Sequence, residues 1–152
     1  MKNYTDAELA AQPVGYWTRA ANTTVVGYIS SRLGELDVTQ HHWWTLAHLG
    51  QSDKGLTREE TIALIVRIRP YVDHTKMAPA IDDLLAREML APDAEGRLQL
   101  TDAGVQLRDR VKVLQIDSRT HIHAGVDDKD YVNAVKVLRR MIGNVGGDAD
   151  YD

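Results

Sequence analysis

The side chains in this chain whose types and spacing suit chemistry are cationic and gather between positions 58 and 97: Arg58, Arg67, Arg69, Lys76, Arg87 and Arg97. Such cations hold phosphates. The consecutive residues His74, Thr75 and Lys76 suit base edges as well, since lysine donates to guanine acceptors and threonine contacts either base type. Other chemistries find little support. Six histidines invite a metal site. On a helix, however, His121 and His123 lie about 200° apart, and adjacent His41 and His42 point in different directions, so joint chelation needs partners from other segments. The carboxylate pairs Asp82/Asp83 and Asp127/Asp128 are explained as solvated faces or caps, and no Gly-x-Ser-x-Gly elbow, phosphate loop or dinucleotide fingerprint occurs. The chain has no cysteine, which excludes disulfides, zinc-thiolate sites and thiol nucleophiles. No catalytic residue, metal ion or cofactor is expected.

A definite order of elements must position these cations. Thr57-Arg58-Glu59-Glu60 has the spacing of a capping box, so a helix begins at Thr57; Ile62, Ile65 and Ile68 give it an apolar stripe, and Pro70 ends it near Arg67 to Arg69. After the turn Tyr71-Val72-Asp73-His74, residues Met77, Ile81, Leu84 and Leu85 share one face of a second helix, with Asp73 or Thr75 available as N-cap. If Thr75 is the cap, Pro79 is the fourth helical residue and removes no intrahelical hydrogen bond. Met89-Leu90-Ala91 and Arg97-Leu98-Gln99-Leu100 then flank Pro92-Asp93-Ala94-Glu95-Gly96 as two short strands and a turn. Helix, turn, helix and hairpin in that order outline a winged helix-turn-helix. A bracing helix from Thr39 to Gly50, with Val38 and Trp43 as a hydrophobic staple, completes a module spanning residues 39–101.

Further helices flank the module. The first runs from Pro13 to Leu33 with Val14, Trp17, Ala21, Val25, Tyr28 and Ile29 at helical spacing; another opens at Thr101 and ends before Gly125, carrying Leu107, Val111, Leu114 and Ile122. The last starts at Asp127, behind a Val126/Tyr131 staple, and continues through Val135, Leu138 and Ile142 to about Gly143. The fold class is therefore mainly α with a small β wing. Residues 144–152 read as a flexible acidic tail. The stripes of residues 13–33 and 102–143 are longer than a small module can cover, which assigns them to dimerisation across a two-fold axis. A dimer would set two recognition helices in successive major grooves, about 34 Å apart. The other solution is for the terminal helices to fold back into a monomeric core; amphipathicity alone does not separate the two.

At 152 residues the chain has the length of one domain. The polar stretch Met1 to Gln12 has no secretory core, and the longest aliphatic run, Ile62 to Val66, is far too short to span a membrane. A cytoplasmic protein without a membrane partner is expected. The net charge of −4 argues against a sequence-indifferent nucleic-acid coat. Between Arg67 and Glu88, moreover, Arg67, Arg69, Lys76 and Arg87 are balanced by Asp73, Asp82, Asp83 and Glu88.

Four stretches carry a family likeness. Thr39-Gln40-His41-His42-Trp43-Trp44-Thr45-Leu46 is similar to a Thr-x-x-Gln-Trp-x-Val-Leu segment, with His42 where glutamine is common; Leu56 to Glu60 resembles the start of a first reading helix, and Leu85 to Leu90 the end of a recognition helix. Leu98-Gln99-Leu100-Thr101-Asp102-Ala103-Gly104, the most specific, resembles a wing strand running into the next helix. From Pro13 to Gly143 the chain thus resembles the MarR family of winged-helix transcription regulators. The resemblance implies a homodimer that binds double-stranded DNA, often released by a small-molecule effector held between the dimerisation helices and the winged module. There are two departures. Met77-Ala78-Pro79-Ala80 replaces a Thr-Val-Thr-Arg-like run, and the wing is reduced to Asp93-Ala94-Glu95-Gly96-Arg97.

The candidate DNA contacts are therefore His74, Thr75, Lys76 and Pro79 at the front of the recognition helix and Arg97 as a minor-groove probe. Arg58, Arg67 and Arg69 are candidate phosphate clamps, with a solvated helix face as the competing reading for each. Tyr16, Trp17, His42, Trp43 and Trp44 form a candidate ligand pocket, with packing in the core as the competing reading. Together these features point to a ligand-responsive repressor acting as a homodimer on a pseudo-palindromic operator. The alternative is a winged-helix ligand-sensing or protein-interaction module with weak or no DNA binding; a third is a dimerisation module of the kind that precedes some methyltransferase domains.

Overall fold

Side-chain caps open several of the helices. Thr5, Thr57 and Thr101 each accept a hydrogen bond from the backbone N–H three residues on, opening α1 (Asp6–Ala10), α4 (Arg58–Ile68) and α6 (Asp102–Ile122); each satisfies a donor that the helix itself cannot. Helix α2 (Val14–Gly34) begins behind Pro13, and α3 (Gln40–Leu49) behind Thr39. Helix α5 (Met77–Ala86) follows a 3-10 turn, His74–Lys76, and α7 (Asp128–Asn144) is the last helix. Strand β1 (Leu90–Pro92) pairs antiparallel with β2 (Leu98–Leu100) in the register Leu90↔Leu100, and Leu56 bridges to Leu98 on the other side. This computed structural model describes residues 2–150; Met1, Tyr151 and Asp152, the end of the expected acidic tail among them, lie outside the described residues.

The core forms where the end of α2, α3, α5, the two strands and the first half of α6 meet, around Leu33, Leu46, Ile81, Leu84, Leu98 and Val111. A second cluster, Trp44, Ile65 and Met77, joins α3 and α4 to the start of α5. Each fully buried aliphatic side chain here is worth roughly 1.5–3 kcal/mol relative to exposure. Two glycines permit the close packing. A Cβ on Gly104 would collide with the Met89 carbonyl oxygen, and Gly55 has φ +64° with the Leu98 carbonyl oxygen 2.6 Å from where a Cβ would stand. The motif ending in Gly104 is thus a packing requirement between the wing and α6.

The expected order of helix, turn, helix and hairpin is what the structure has, with three differences of detail. Met1 to Gln12 holds α1, whose Thr5-Asp6-Ala7-Glu8 repeats the capping-box spacing of Thr57; the Thr5 N–H donates to Glu8 Oε2 at 2.7 Å. Asp73, one of the two expected caps, caps the 3-10 turn, where both the N–H and the hydroxyl of Thr75 donate to it, and α5 itself opens one turn later without a side-chain cap. Pro79 is accordingly the third residue of α5, still in its first turn. None of the residues of α7 is buried. Beyond α7, the Tyr71 hydroxyl donates to the Asp148 carbonyl at 3.0 Å, and Arg139 reaches the Ala149 carbonyl and the Asp150 carboxylate. No helix among the described residues is long and apolar enough to cross a membrane.

Candidate nucleic-acid interface

Helix α5 buries one stripe, Met77, Ala80, Ile81 and Leu84, and turns the opposite stripe outward. That outward stripe runs through Thr75, Pro79, Asp82 and Ala86, all exposed. Lys76 stands beside it at the front end, 69% exposed, with Nζ 3.8 Å from Asp73 Oδ2. An ion pair so exposed contributes little and leaves the ammonium accessible. Thr75, Lys76 and Pro79 are thus brought together at the protruding start of the helix.

The other candidates are placed differently. His74 is half-buried and folded back, its Nε2 2.8 Å from the Arg69 carbonyl; a carbonyl only accepts, so this ring nitrogen carries the proton and is already engaged. The ring is therefore placed away from the outward stripe. Arg97 is likewise held inward. Its guanidinium is bound back onto the base of the wing, donating to the Lys54 and Gly55 carbonyls and to Glu60 Oε2 at 2.9 Å, so it does not project from the wing tip. The tip itself is shaped by Asp93, whose Oδ1 accepts from the N–H groups of Glu95 and Arg97. Arg58 forks onto Asp82, with Nε 2.9 Å from Oδ1 and Nη2 2.8 Å from Oδ2. Arg69 is half-buried, its guanidinium carbon 5.0 Å from the centre of the Trp44 ring. Arg67 is exposed on the last turn of α4, without a hydrogen bond or ion pair to the described residues.

Hydrogen bonding fixes the charges of this face. The Thr75 hydroxyl and N–H lower the Asp73 pKa, and the Arg58 fork lowers that of Asp82. Both carboxylates therefore stay ionised near neutrality. Behind the face, Asp83 pairs with Arg87 at 3.0 Å, and Arg87 also donates to the Asp37 carbonyl.

The five residues expected to form a ligand pocket do not converge. Tyr16 and Trp17 are exposed at the start of α2 and meet each other edge to face; with a rise of 1.5 Å per residue, Trp17 lies about 24 Å along the helix from Leu33. Trp44 belongs to the second core cluster. His42 is buried at the start of α3, where its Nδ1 accepts from the Thr39 N–H at 2.9 Å and completes a capping box. Trp43 alone of the five lines the cleft between α2, α3, α6 and the start of α7. This cleft, about 680 Å³, has Val25, Ile29 and Ile122 among its walls, Lys112 and Arg119 as cations, and Ser118. Ser118 is 1% exposed and its hydroxyl has no hydrogen-bond partner among the described residues. The signal was legible: Ser118 interrupts the stripe Leu107, Val111, Leu114, Ile122 with a polar group.

A helix-turn-helix followed by a two-stranded wing, set between long flanking helices, defines the class of architecture. No family model matches the chain, and no curated protein is similar to it in sequence. Solved structures are similar in fold. A MarR family transcriptional regulator from Silicibacter pomeroyi matches with a TM-score of 0.71 at 17% identity, covering 93% of this chain and 99% of that one. A MarR family protein from Mycobacterium tuberculosis, in complex with DNA, matches at 0.62 and 20% identity over 90% and 99% of the two chains. CouR from Rhodococcus jostii, bound to p-coumaroyl-CoA, matches at 0.66 and 15% identity over 86% and 92%. The chain has the fold of the MarR-type winged helix-turn-helix transcription regulators, mainly α with a small β wing.

Proposed function

We propose that this protein is a sequence-specific DNA-binding transcription regulator, a ligand-responsive repressor that acts as a homodimer on a pseudo-palindromic duplex. The observation that carries the reading is the outward, accessible front of α5, where Thr75, Lys76 and Pro79 stand opposite a completely buried stripe. A helix so mounted fits the width of a major groove. The DNA-bound neighbour of the same fold supports it. A second copy is supported by α7, an amphipathic helix none of whose apolar residues is buried against the other described residues. Ligand response is supported by the cleft beside Trp43, since an amphipathic anion would find apolar walls, two cations and the unpartnered Ser118 hydroxyl there; the neighbour bound to p-coumaroyl-CoA shows that the fold accommodates a ligand.

Retention of duplexes from a random pool by the purified protein tests the reading. Saturable binding to a shared motif, weakening steeply as salt rises, is expected. Lys76→Ala, which removes one cation from each half of the dimer, should lower affinity by about tenfold or more across sequences and reduce the salt slope by about two. Binding indifferent to both sequence and salt would overturn it. One observation favours the second reading, a ligand-sensing or protein-interaction module: Arg58, Arg97 and Lys76 each already face a carboxylate. Under that reading Lys76→Ala changes nothing, and polar changes at Trp43 abolish regulation.

A further inference from the structure

We infer that Asp82, held by Arg58, is a specificity-determining residue of the recognition helix that accepts a hydrogen bond from the N4 amino group of a cytosine. The inference rests on the DNA-binding reading above. On the outward stripe of α5, Pro79 and Ala86 offer no side-chain hydrogen bond, and Thr75 donates its hydroxyl to Asp73. Beyond the first turn, Asp82 is the stripe's side chain with polar atoms.

A bare carboxylate at that place would be repelled by the phosphates on both sides of the groove. Arg58 removes the objection. Its two-point fork, 2.9 and 2.8 Å, makes the pair electrically neutral and fixes the plane of the carboxylate, while both partners remain open to the outside, 36% and 57% exposed. The fork also keeps Asp82 ionised, hence an acceptor only. Each carboxylate oxygen has a second lone pair left after bonding Arg58.

The major groove offers two amino donors, cytosine N4 and adenine N6. Beside the adenine donor lies N7, an acceptor, whose lone pair would face the second carboxylate oxygen. Cytosine has no such neighbour on its own edge, and the remaining guanidinium N–H groups of Arg58 suit the O6 and N7 acceptors of its paired guanine. The Arg58–Asp82 unit therefore matches a C·G pair, whose guanine presents two acceptors to Arg58, better than an A·T pair, which has one acceptor on thymine and sets N7 against the carboxylate.

Selection from a random duplex pool with the full-length protein decides the matter, using wild type, Asp82→Ala and Asp82→Asn. Wild type should select a motif with a C·G pair in each half-site, preferred by roughly tenfold. Asp82→Ala should lose the preference at that position and keep the rest of the motif, and Asp82→Asn should move it towards adenine, which asparagine recognises. A purely structural tie between α4 and α5 would instead lower affinity evenly, leaving the motif unchanged in both variants, and that result overturns the inference alone. If wild type selects no motif, the inference and the DNA-binding reading both fail. Asp82→Asn preserves the side-chain shape, so its thermal melt and motif decide the question if Asp82→Ala does not fold.

Discussion

In the winged module, Leu46, Ile65, Ile81 and Leu84 are fully buried; on α7, Val132, Val135, Leu138 and Met141 remain 37–44% exposed, although both sets follow the same helical period. The module's stripes find partners nearby in the chain, because α3, α4, α5, the wing and α6 close on one another. Helix α7 packs its apolar face against nothing comparable. An isolated helix of 17 residues is marginal in water. In the proposed dimer a second copy would secure its order, and the contrast would then separate a part that is complete within one protomer from a part that is completed by association.

The largest effect that tests the contrast is therefore on association. Leu138→Glu would place an unpaired charge in the proposed dimer interface at a cost of about 3–5 kcal/mol, a factor of roughly 150 to 4,000 in the dissociation constant. Sedimentation equilibrium should show dimers for wild type and monomers for the variant at micromolar concentration. Identical dissociation constants, or a monomeric wild type, would refute the assignment of α7.

The module should behave in the opposite way. Ile81→Ala leaves a cavity between α5 and its neighbours and should reduce stability by about 3 kcal/mol in urea titration, without changing the dimer dissociation constant of the folded protein. A loss below about 1 kcal/mol would mean that this core is looser than its burial indicates.

The same contrast explains what could be read from the sequence. Thr57, Thr39 and Thr101 act on residues three positions away, so helix starts and the outline of the wing were legible from local spacing. Thr5 carries the same signature in α1, where the polarity of the surrounding stretch leaves no apolar stripe to confirm a helix. Arg97 and His74 were misplaced for a different reason. Their partners include backbone carbonyls, Gly55 for one and Arg69 for the other, and whether a carbonyl stands opposite a side chain depends on how the chain closes rather than on residue type. The aromatic pocket failed on distance: Trp17 and Trp43 are both apolar aromatics, but one lies near the free start of α2 and the other where α3 meets α6. The cleft's best marker, Ser118 in an aliphatic stripe, was in plain view as a departure from pattern.

The smallest effect concerns the seam where α3 meets α5, at His42. Its Nδ1 accepts from the Thr39 N–H, which can only donate, so the neutral ring carries its proton on Nε2, 3.1 Å from Asp83 Oδ2 but poorly aligned for a hydrogen bond. Burial holds the His42 pKa below the ordinary histidine value; Arg87 and His41 act in the same direction, and Asp83 opposes them. The unfolded chain takes up a proton at about pH 6.5, whereas the folded chain does so only at lower pH. Between the two the unfolded state binds more protons, so stability should fall as pH falls through that window. His48, also lowered by burial, contributes with the same sign. His42→Gln retains an acceptor for the Thr39 N–H and cannot titrate. The variant should therefore lose less stability than wild type between pH 7.5 and 5.5, by about 1 kcal/mol or less, the scale of one helix cap. Parallel melting curves for the two proteins over that range would show instead that the seam is indifferent to the charge on His42.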